Sequence, residues 1–386
     1  MSIYARFGVK TVINACGTVT RLSGGRMHPS VAEAMAAASG ACVDMLSLQA
    51  GASRVIARVT GAEAGIVTSG ASAGLLLGAA ACLAGLDPTR INRLPATDGK
   101  RDFIVVRSQR NMYDRVLTLA GGRIVEVGIP DRYSGPGVRD AAAWEIEAAI
   151  GPDTAGICWL AQPQSLPRLP DIARIAREHR VPLLVDAAAQ LPPADNLRRF
   201  LREGADLVAF SGGKAIGGPQ ASGILCGRRD LISSALIQML DLDVFPEYWS
   251  APPEFAPLAQ MPGLPHHGIG RSCKAGKEEI VGLLVALERF AGADEAERTA
   301  GWLHILESIA TLGGSTLRFA IEDRTVPLLT IGGADPDTLA AWLASNDPAI
   351  HCGMGRRHEG LLTVSPVALT PNDATTIARR LAAWAA

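Results

Sequence analysis

The sequence is poor in the features that mark nucleic-acid, membrane and disulfide-rich proteins. Aromatic residues make up 5% of its 386 residues, the formal net charge is −1, and no block of like charges occurs, which argues against a broad basic face for nucleic acid. Its 7 cysteines form neither a Cys-x-x-Cys pair nor a Cys/His cluster, so neither disulfides nor a metal site are indicated. Residues 1–10 have no apolar signal segment, and no window approaches the roughly 18 apolar residues of a membrane span. We expect a cytoplasmic protein that binds small metabolites.

Short apolar runs alternate with helical stretches through the middle of the chain. This alternation is typical of an α/β protein with a large, mainly parallel sheet covered by helices on both faces. The connection between the predicted strands 206–210 and 222–226, which contains Lys214, is short enough for the last strand to run antiparallel. The predicted strands are residues 102–107, 123–127, 155–160, 182–186, 206–210 and 222–226, and the predicted helices between them are 113–120, 141–150, 169–179 and 196–203.

A proline-rich segment, residues 246–265, separates this pattern from a shorter mixture of helices and strands. We therefore predict a large domain over residues 46–265 and a smaller α+β C-terminal domain over 266–386. Residues 1–45 are predicted to form an N-terminal arm that contributes to the small domain.

Two polar residues end strands of the predicted sheet. Asp186 follows the apolar run 181–185, and Lys214 follows the run 206–210 in Ser211-Gly-Gly-Lys214. Alone, such an aspartate is often a cap and such a lysine a solvated charge, but both belong to the carboxyl edge of the sheet, where ligands bind. Pyridoxal phosphate needs an amine for a Schiff base and a carboxylate that keeps its pyridine nitrogen protonated. The pair predicts a pyridoxal 5′-phosphate site.

A run of small residues, Thr68-Ser-Gly-Ala-Ser-Ala-Gly74, precedes an apolar helix. Small residues let backbone N–H groups approach a phosphate at a helix N-terminus, although similar runs also serve close packing of a helix on a sheet. The order of this run, then Asp186, then Lys214 favours the phosphate. The residues assigned to it are Ser69, Gly70, Ala71, Ser72 and Ser211.

Other candidates follow strands or lie in a glycine-rich loop. Tyr113 is our candidate for stacking on the pyridine ring, although a tyrosine packed on the sheet surface is equally compatible with its position. Gln162 and Gln164 could each reach the cofactor, and the sequence does not choose between them. The assigned substrate-binding residues are Arg271, Lys274 and Gln164. Lys277 lies in the same glycine-rich loop as Arg271 and Lys274, and cations in such a loop suit an anionic substrate group, although solvated loop charges are equally compatible with these positions. Arg356 and Arg357 are weaker candidates for the same role.

In this order, the motifs resemble those of the seryl-tRNA selenium transferase-like group of fold-type I, aminotransferase-like pyridoxal phosphate enzymes. Within that group, the chain is most similar to metabolic members such as D-glucosaminate-6-phosphate ammonia-lyase. The resemblance implies that Lys214 is the Schiff-base lysine and α-proton base, and that Asp186 is the partner of the pyridine nitrogen. The motifs are Thr68-Ser-Gly-Ala-Ser-Ala73, Tyr113-Asp114, Leu184-Val-Asp-Ala-Ala188, the segment from Asp206 to Gln220, Gly270-Arg271 and Lys274-Ala-Gly-Lys-Glu-Glu279.

The expected activity is removal of the α-proton of an amino acid or sugar amino acid, followed by β-elimination and release of ammonia. A racemase or epimerase would share the first step, and a selenium transferase would need an RNA-binding surface, for which an additional N-terminal domain is typical. A scaffold without activity is disfavoured because Lys214 and Asp186 are both present. The family resemblance also implies a homodimer or a higher homo-oligomer.

Overall fold

The structure is a computed structural model that describes residues 2–129, 140–165 and 167–384. In chain order, its strands are β1 (Val12–Ala15), β2 (Ala64–Thr68), β3 (Asp102–Val106), β4 (Arg123–Val127), β5 (Thr154–Leu160), β6 (Leu183–Asp186), β7 (Leu207–Ser211), β8 (Gly223–Gly227), β9 (Arg318–Glu322), β10 (Leu328–Gly332), β11 (Ala349–Cys352) and β12 (Leu362–Val364). Its α-helices are α1 (Pro29–Ser39), α2 (Met45–Thr60), α3 (Ala71–Ala84), α4 (Pro88–Arg93), α5 (Arg115–Leu119), α6 (Ala143–Ala148), α7 (Leu169–Glu178), α8 (Asn196–Arg202), α9 (Arg229–Met239), α10 (Lys277–Gly292), α11 (Glu295–Leu312), α12 (Pro336–Ser345) and α13 (Pro371–Trp384).

The chain divides into two compact units. The smaller unit comprises Met1–Arg26 and Gly292–Ala386, and the larger comprises Met27–Ala291. These bounds differ from the predicted domains because α10 belongs to the larger unit, where Leu283 and Leu287 join the same apolar core as strand residues of the sheet. Every helix in the described part of the chain is too short or too polar to span a bilayer.

The larger unit is built on a seven-stranded sheet with the order β2-β8-β7-β6-β5-β3-β4. Strand β8 runs antiparallel to both of its neighbours, whereas the remaining pairs are parallel. The mainly parallel sheet is thus confirmed, and so is the antiparallel strand after Lys214. The polar residues that end β6 and β7 therefore lie at one edge of the sheet, as the sequence predicts.

Helices cover both faces of this sheet and form two apolar cores. In β6, Leu183 and Val185 point into one core and Leu184 into the other, because successive side chains of a strand alternate between its faces. Apolar residues of α2, α6, α7, α8 and α10 fill the first core, and those of α3, α4, α5 and α9 fill the second. Coverage of both faces explains why the central strands β6 and β7 are apolar up to their last residue.

The smaller unit combines two sheets around its own core. Strands β9, β10 and β12 form an antiparallel sheet, and β1 pairs in parallel with β11. The β1–β11 pair attaches the N-terminal segment to the C-terminal part of the chain. Its core contains Ile13, Leu306, Leu329 and Ile377.

Candidate active site

Asp186 is the last residue of β6 and is 9% exposed. The strand register places it beside Ala209 of β7 and Leu160 of β5, in the middle of the sheet's carboxyl edge. Burial raises the pKa of the Asp186 carboxyl, whereas the Ala188 N–H, which donates to Oδ1 at 3.0 Å, and the charge of Lys214 lower it. A buried carboxylate in this setting is suited to hold a cationic partner.

Lys214 lies in a tight glycine loop that follows β7. The Gly212 N–H donates to Ser222 O at 2.9 Å, and the Gly217 N–H donates to Lys214 O at 3.0 Å. A Cβ atom on Gly213 would lie 2.5 Å from Gln220 Cα, so the loop requires glycine there. Burial lowers the pKa of the Lys214 amine, and the Asp186 carboxylate opposes this shift. The amine is therefore neutral at a lower pH than that of a free lysine.

The turn Ser69–Ser72, which we call the phosphate turn, joins the end of β2 to the N-terminus of α3. Thr68 Oγ1 donates to Gly70 O at 2.8 Å, and the Ser69 N–H donates to Cys273 O at 3.1 Å. Among the described residues, the hydroxyls of Ser69 and Ser72 have no intramolecular hydrogen-bond partner. The turn thus offers two hydroxyls and the helix N-terminus to an anion.

The phosphate turn packs against the start of strand β8. In the strand register, Gly223 pairs with Thr68 on one side and with Ser211 on the other, which places these three residues in one row. A Cβ atom on Gly223 would lie 2.3 Å from the Gly70 carbonyl carbon. Adjacent strands are about 4.8 Å apart, so Ser211 lies roughly 10 Å from the Thr68 backbone. The absence of a side chain at Gly223 lets Gly70 of the turn lie directly against β8.

These residues fit pyridoxal phosphate by their chemistry and order along the edge. The phosphate turn and Ser211 would hold the phosphate, Lys214 would bond the aldehyde carbon, and Asp186 would face the pyridine nitrogen. The ends of three strands of one sheet, β2, β6 and β7, place all of these groups.

A small cleft of about 20 Å³ adjoins Asp186. Gln109, which follows β3, is 5% exposed, and its Oε1 accepts the N–H of Leu160 at 2.9 Å. Asp114 accepts a hydrogen bond from the Asn111 N–H at 3.2 Å. Gln109 and Asn111 are not among the predicted site residues, although the rule that identifies Asp186, a polar residue after a strand, also points to Gln109. The lining residues are Leu75, Val105, Gln109, Asn111, Asp114, Val116, Leu117, Cys158, Leu160 and Asp186.

The structure does not place Tyr113, Gln162 or Gln164 in this cleft. Tyr113 is 56% exposed, and its N–H donates to Asn111 Oδ1 at 2.8 Å. Gln164 Nε2 donates to Gln162 Oε1 at 2.9 Å, and both glutamines are exposed. Their contacts with a cofactor or substrate stay predictions.

The cationic loop near α10 lies in the larger unit. Arg271 Nη2 is 2.7 Å from Asp241 Oδ2, and Lys277 Nζ donates to Ala38 O at 2.8 Å. Lys274 is exposed and forms no ion pair within the described part of the chain. Because Cys273 O accepts the Ser69 N–H, this loop is attached directly to the phosphate turn.

Arg356 and Arg357, the weaker candidates, lie in the smaller unit. Arg356 is paired with both Glu322 and Glu359, and Arg357 Nη1 is 3.7 Å from Asp337 Oδ1. The two glutamates already balance the charge of Arg356, which makes it a poorer anion ligand than Lys274.

The chain matches one family model over its central part and is similar to two enzymes over 98% of its length. The family model for L-seryl-tRNA selenium transferase matches residues 114–243, a segment that contains Asp186 and Lys214. The 5′-C-glycyluridine monooxygenase-decarboxylase of a Streptomyces species is 31% identical, over 98% of this chain and 90% of its own. The D-glucosaminate-6-phosphate ammonia lyase of Salmonella typhimurium is 28% identical, over 98% and 97%. A solved structure of D-glucosaminate-6-phosphate ammonia-lyase superposes with a TM-score of 0.81 at 28% identity, over 99% of this chain and 98% of its own.

Proposed function

Since the chain belongs to the seryl-tRNA selenium transferase-like group of fold-type I pyridoxal phosphate enzymes, and pyridoxal 5′-phosphate is its cofactor, we propose that it is a carbon–nitrogen lyase. Its substrate is an amino acid or sugar amino acid with a leaving group on the β-carbon. The observation that carries the proposal is the position of Lys214 and Asp186 at the ends of two neighbouring strands, on one edge of the sheet. Elimination of ammonia is favoured by the similarity to D-glucosaminate-6-phosphate ammonia lyase over 98% of this chain.

The chemistry that pyridoxal phosphate supplies when bound is an electron sink for the substrate's α-carbon. Lys214 Nζ takes the α-proton, which it can do because burial favours its neutral form. Asp186 holds a proton on the pyridine nitrogen. Lys214 returns the α-proton to the β-hydroxyl, which leaves as water. One water then hydrolyses the carbon–nitrogen bond while a solvent proton is added at the β-carbon, so that a hydroxyamino acid becomes a keto acid and ammonia without an oxidant.

A second candidate is oxidative decarboxylation of an amino acid. It is favoured by the relative at 31% identity, which is named a monooxygenase-decarboxylase. The two reactions share the activated α-carbon but differ in the bond that breaks, since decarboxylation breaks the bond to the carboxyl carbon and needs molecular oxygen. Racemisation needs only the removal and return of the α-proton. Selenium transfer has less support, because the selenium transferase model matches only residues 114–243.

A panel of D- and L-hydroxyamino acids and sugar amino acids tests the lyase. We expect the holoenzyme, in deuterated water, to release ammonia and keto acid in equal amounts from at least one compound, with one solvent deuterium bound at carbon. Oxygen uptake with release of carbon dioxide would instead establish the decarboxylase. Deuterium exchange at the α-carbon without ammonia would establish a racemase, and either result would refute the lyase.

Arg271 is proposed to bind the anionic end of the substrate. Its guanidinium can form a bidentate pair with a carboxylate, which a lysine ammonium does not reproduce. We expect Arg271→Lys to raise KM at least about tenfold, equivalent to about 1.4 kcal/mol, with an unchanged absorption spectrum of the bound cofactor.

The matched control is Arg228→Lys, because Arg228 also pairs with aspartates, Asp206 and Asp230, but follows β8 at the opposite edge of the sheet. This control should leave KM unchanged. If Arg271→Lys alters the spectrum and not KM, Arg271 belongs to the cofactor site, and Lys274 becomes the candidate for the substrate anion.

The remaining proposals concern assembly and location. We propose a homodimer or a higher homo-oligomer in the cytoplasm, with a small-molecule substrate and neither nucleic acid nor membrane as a partner. Closed symmetric assemblies are the norm among soluble oligomers. A net charge of −1 provides no overall electrostatic attraction for a polyanion such as nucleic acid.

A further inference from the structure

Strand β2, which leads into the phosphate turn, is the terminal strand of the seven-stranded sheet and pairs with β8 on one side. A terminal strand leaves backbone N–H and C=O groups unpaired on its other side. Here, helix α2 covers that side. A Cβ atom on Gly65 would lie 2.4 Å from Ile56 Cγ2, so the absence of a side chain at Gly65 is what allows α2 to pack this closely.

The side chains of Gln49 and Ser53 pair with the open edge of β2. Gln49 Nε2 donates to Val67 O at 2.8 Å, and Gln49 Oε1 accepts the Val67 N–H at 3.0 Å. One turn of helix later, Ser53 Oγ accepts the Gly65 N–H at 3.1 Å. The primary amide of Gln49 thus satisfies both backbone groups of one residue, as the neighbouring residue of an antiparallel strand would.

Val67 is two residues before the phosphate turn. On its other side, Val67 pairs with Ile224 of β8. The residue before Ile224 is Gly223, and Gly70 of the phosphate turn packs against the Gly223 backbone. From Val67, the chain continues through Thr68, whose hydroxyl donates to Gly70 O. The end of β2 is therefore held by β8 on one side and by Gln49 of α2 on the other.

We propose that Gln49 is a positioning residue for the cofactor's phosphate. Its amide fixes the backbone of Val67. It thereby determines the positions of the Ser69 and Ser72 hydroxyls and of the N-terminus of α3. The side chain is 2% exposed, and its amide nitrogen and oxygen both bond to Val67, so it acts through the strand without touching the phosphate. This inference depends on the cofactor site and is independent of which reaction the enzyme catalyses.

The test compares Gln49→Leu with the matched control Ser53→Ala. Ser53 belongs to the same helix and the same strand edge, but its hydrogen bond lies two residues farther from the phosphate turn. We expect Gln49→Leu to raise the dissociation constant of pyridoxal phosphate for the apoprotein at least about tenfold, because two buried backbone groups lose their partners. Ser53→Ala should change it by less than about threefold.

Pyridoxal, which lacks the phosphate, separates positioning from a general loss of structure. Its dissociation constant should differ little between the wild type and Gln49→Leu. An equal loss of affinity for pyridoxal and pyridoxal phosphate, or an equal effect of Ser53→Ala, would overturn the proposal.

A more conservative variant covers the case in which Gln49→Leu does not fold. Gln49→Glu keeps an acceptor for the Val67 N–H but loses the donor to Val67 O, and we expect it to weaken binding of pyridoxal phosphate selectively. Unchanged binding in a folded Gln49→Glu protein would also overturn the proposal. Failure of these tests would leave the lyase assay unaffected.

Discussion

The variant Lys214→Ala is expected to lose turnover by at least about a thousandfold, because the amine serves both as the covalent attachment point and as the α-proton base. The visible absorption of the lysine-bound cofactor should disappear as well. The fold should survive, since Lys214 is only partly buried and its loop is held by the backbone bonds of Gly212 and Gly217. Circular dichroism and steady-state kinetics measure the two effects.

Lys100→Ala is the control for this experiment, because Lys100 is exposed and precedes β3 at the opposite edge of the sheet. It should keep the turnover and spectrum of the wild type. A folded Lys214→Ala protein with wild-type turnover would remove Lys214 from the mechanism.

Asp186→Asn is expected to lower kcat by at least about a hundredfold and to weaken cofactor binding, because a neutral amide cannot hold the pyridine nitrogen in its protonated form. Asparagine has nearly the same shape, and its side-chain oxygen can still accept the Ala188 N–H. The loss would therefore report the missing charge. Kinetics at saturating cofactor separate the effect on kcat from the effect on binding.

Asp206→Asn provides the comparison, since Asp206 immediately precedes β7, at the amino edge, where it accepts the Leu183 N–H at 2.8 Å. That substitution could lower stability but should not lower kcat of the folded enzyme. Full activity in Asp186→Asn would mean that another group serves the pyridine nitrogen.

Much of the fold could be predicted because its signals are local. Several apolar runs of the central sheet end at a polar or glycine residue, and such ends identify Asp186, Ser211 and Lys214 from the sequence. The placement of these residues on neighbouring strands follows from parallel pairing alone. The antiparallel direction of β8 follows from the short connection after Lys214, which leaves no room for a crossover.

Other parts depend on tertiary contacts that leave no periodic signal. Gln49 belongs to an amphipathic helix, and nothing in the sequence indicates that its amide completes the edge of β2. Asn111 lies in the short connection between β3 and α5, where periodicity is absent. The position of α10 after the proline-rich segment predicts that it belongs to the small domain, whereas its residue Leu283 packs in the core of the larger unit.

The central claim is that Lys214 is the residue that bonds the cofactor. Borohydride reduction of the holoenzyme, followed by proteolysis and mass spectrometry, tests it most directly, because reduction makes the bond between lysine and cofactor permanent. We expect a phosphopyridoxyl group on the peptide that contains Lys214. The same group on a peptide with Lys10, Lys100, Lys274 or Lys277 instead, or on no lysine of a protein saturated with cofactor, would contradict this claim.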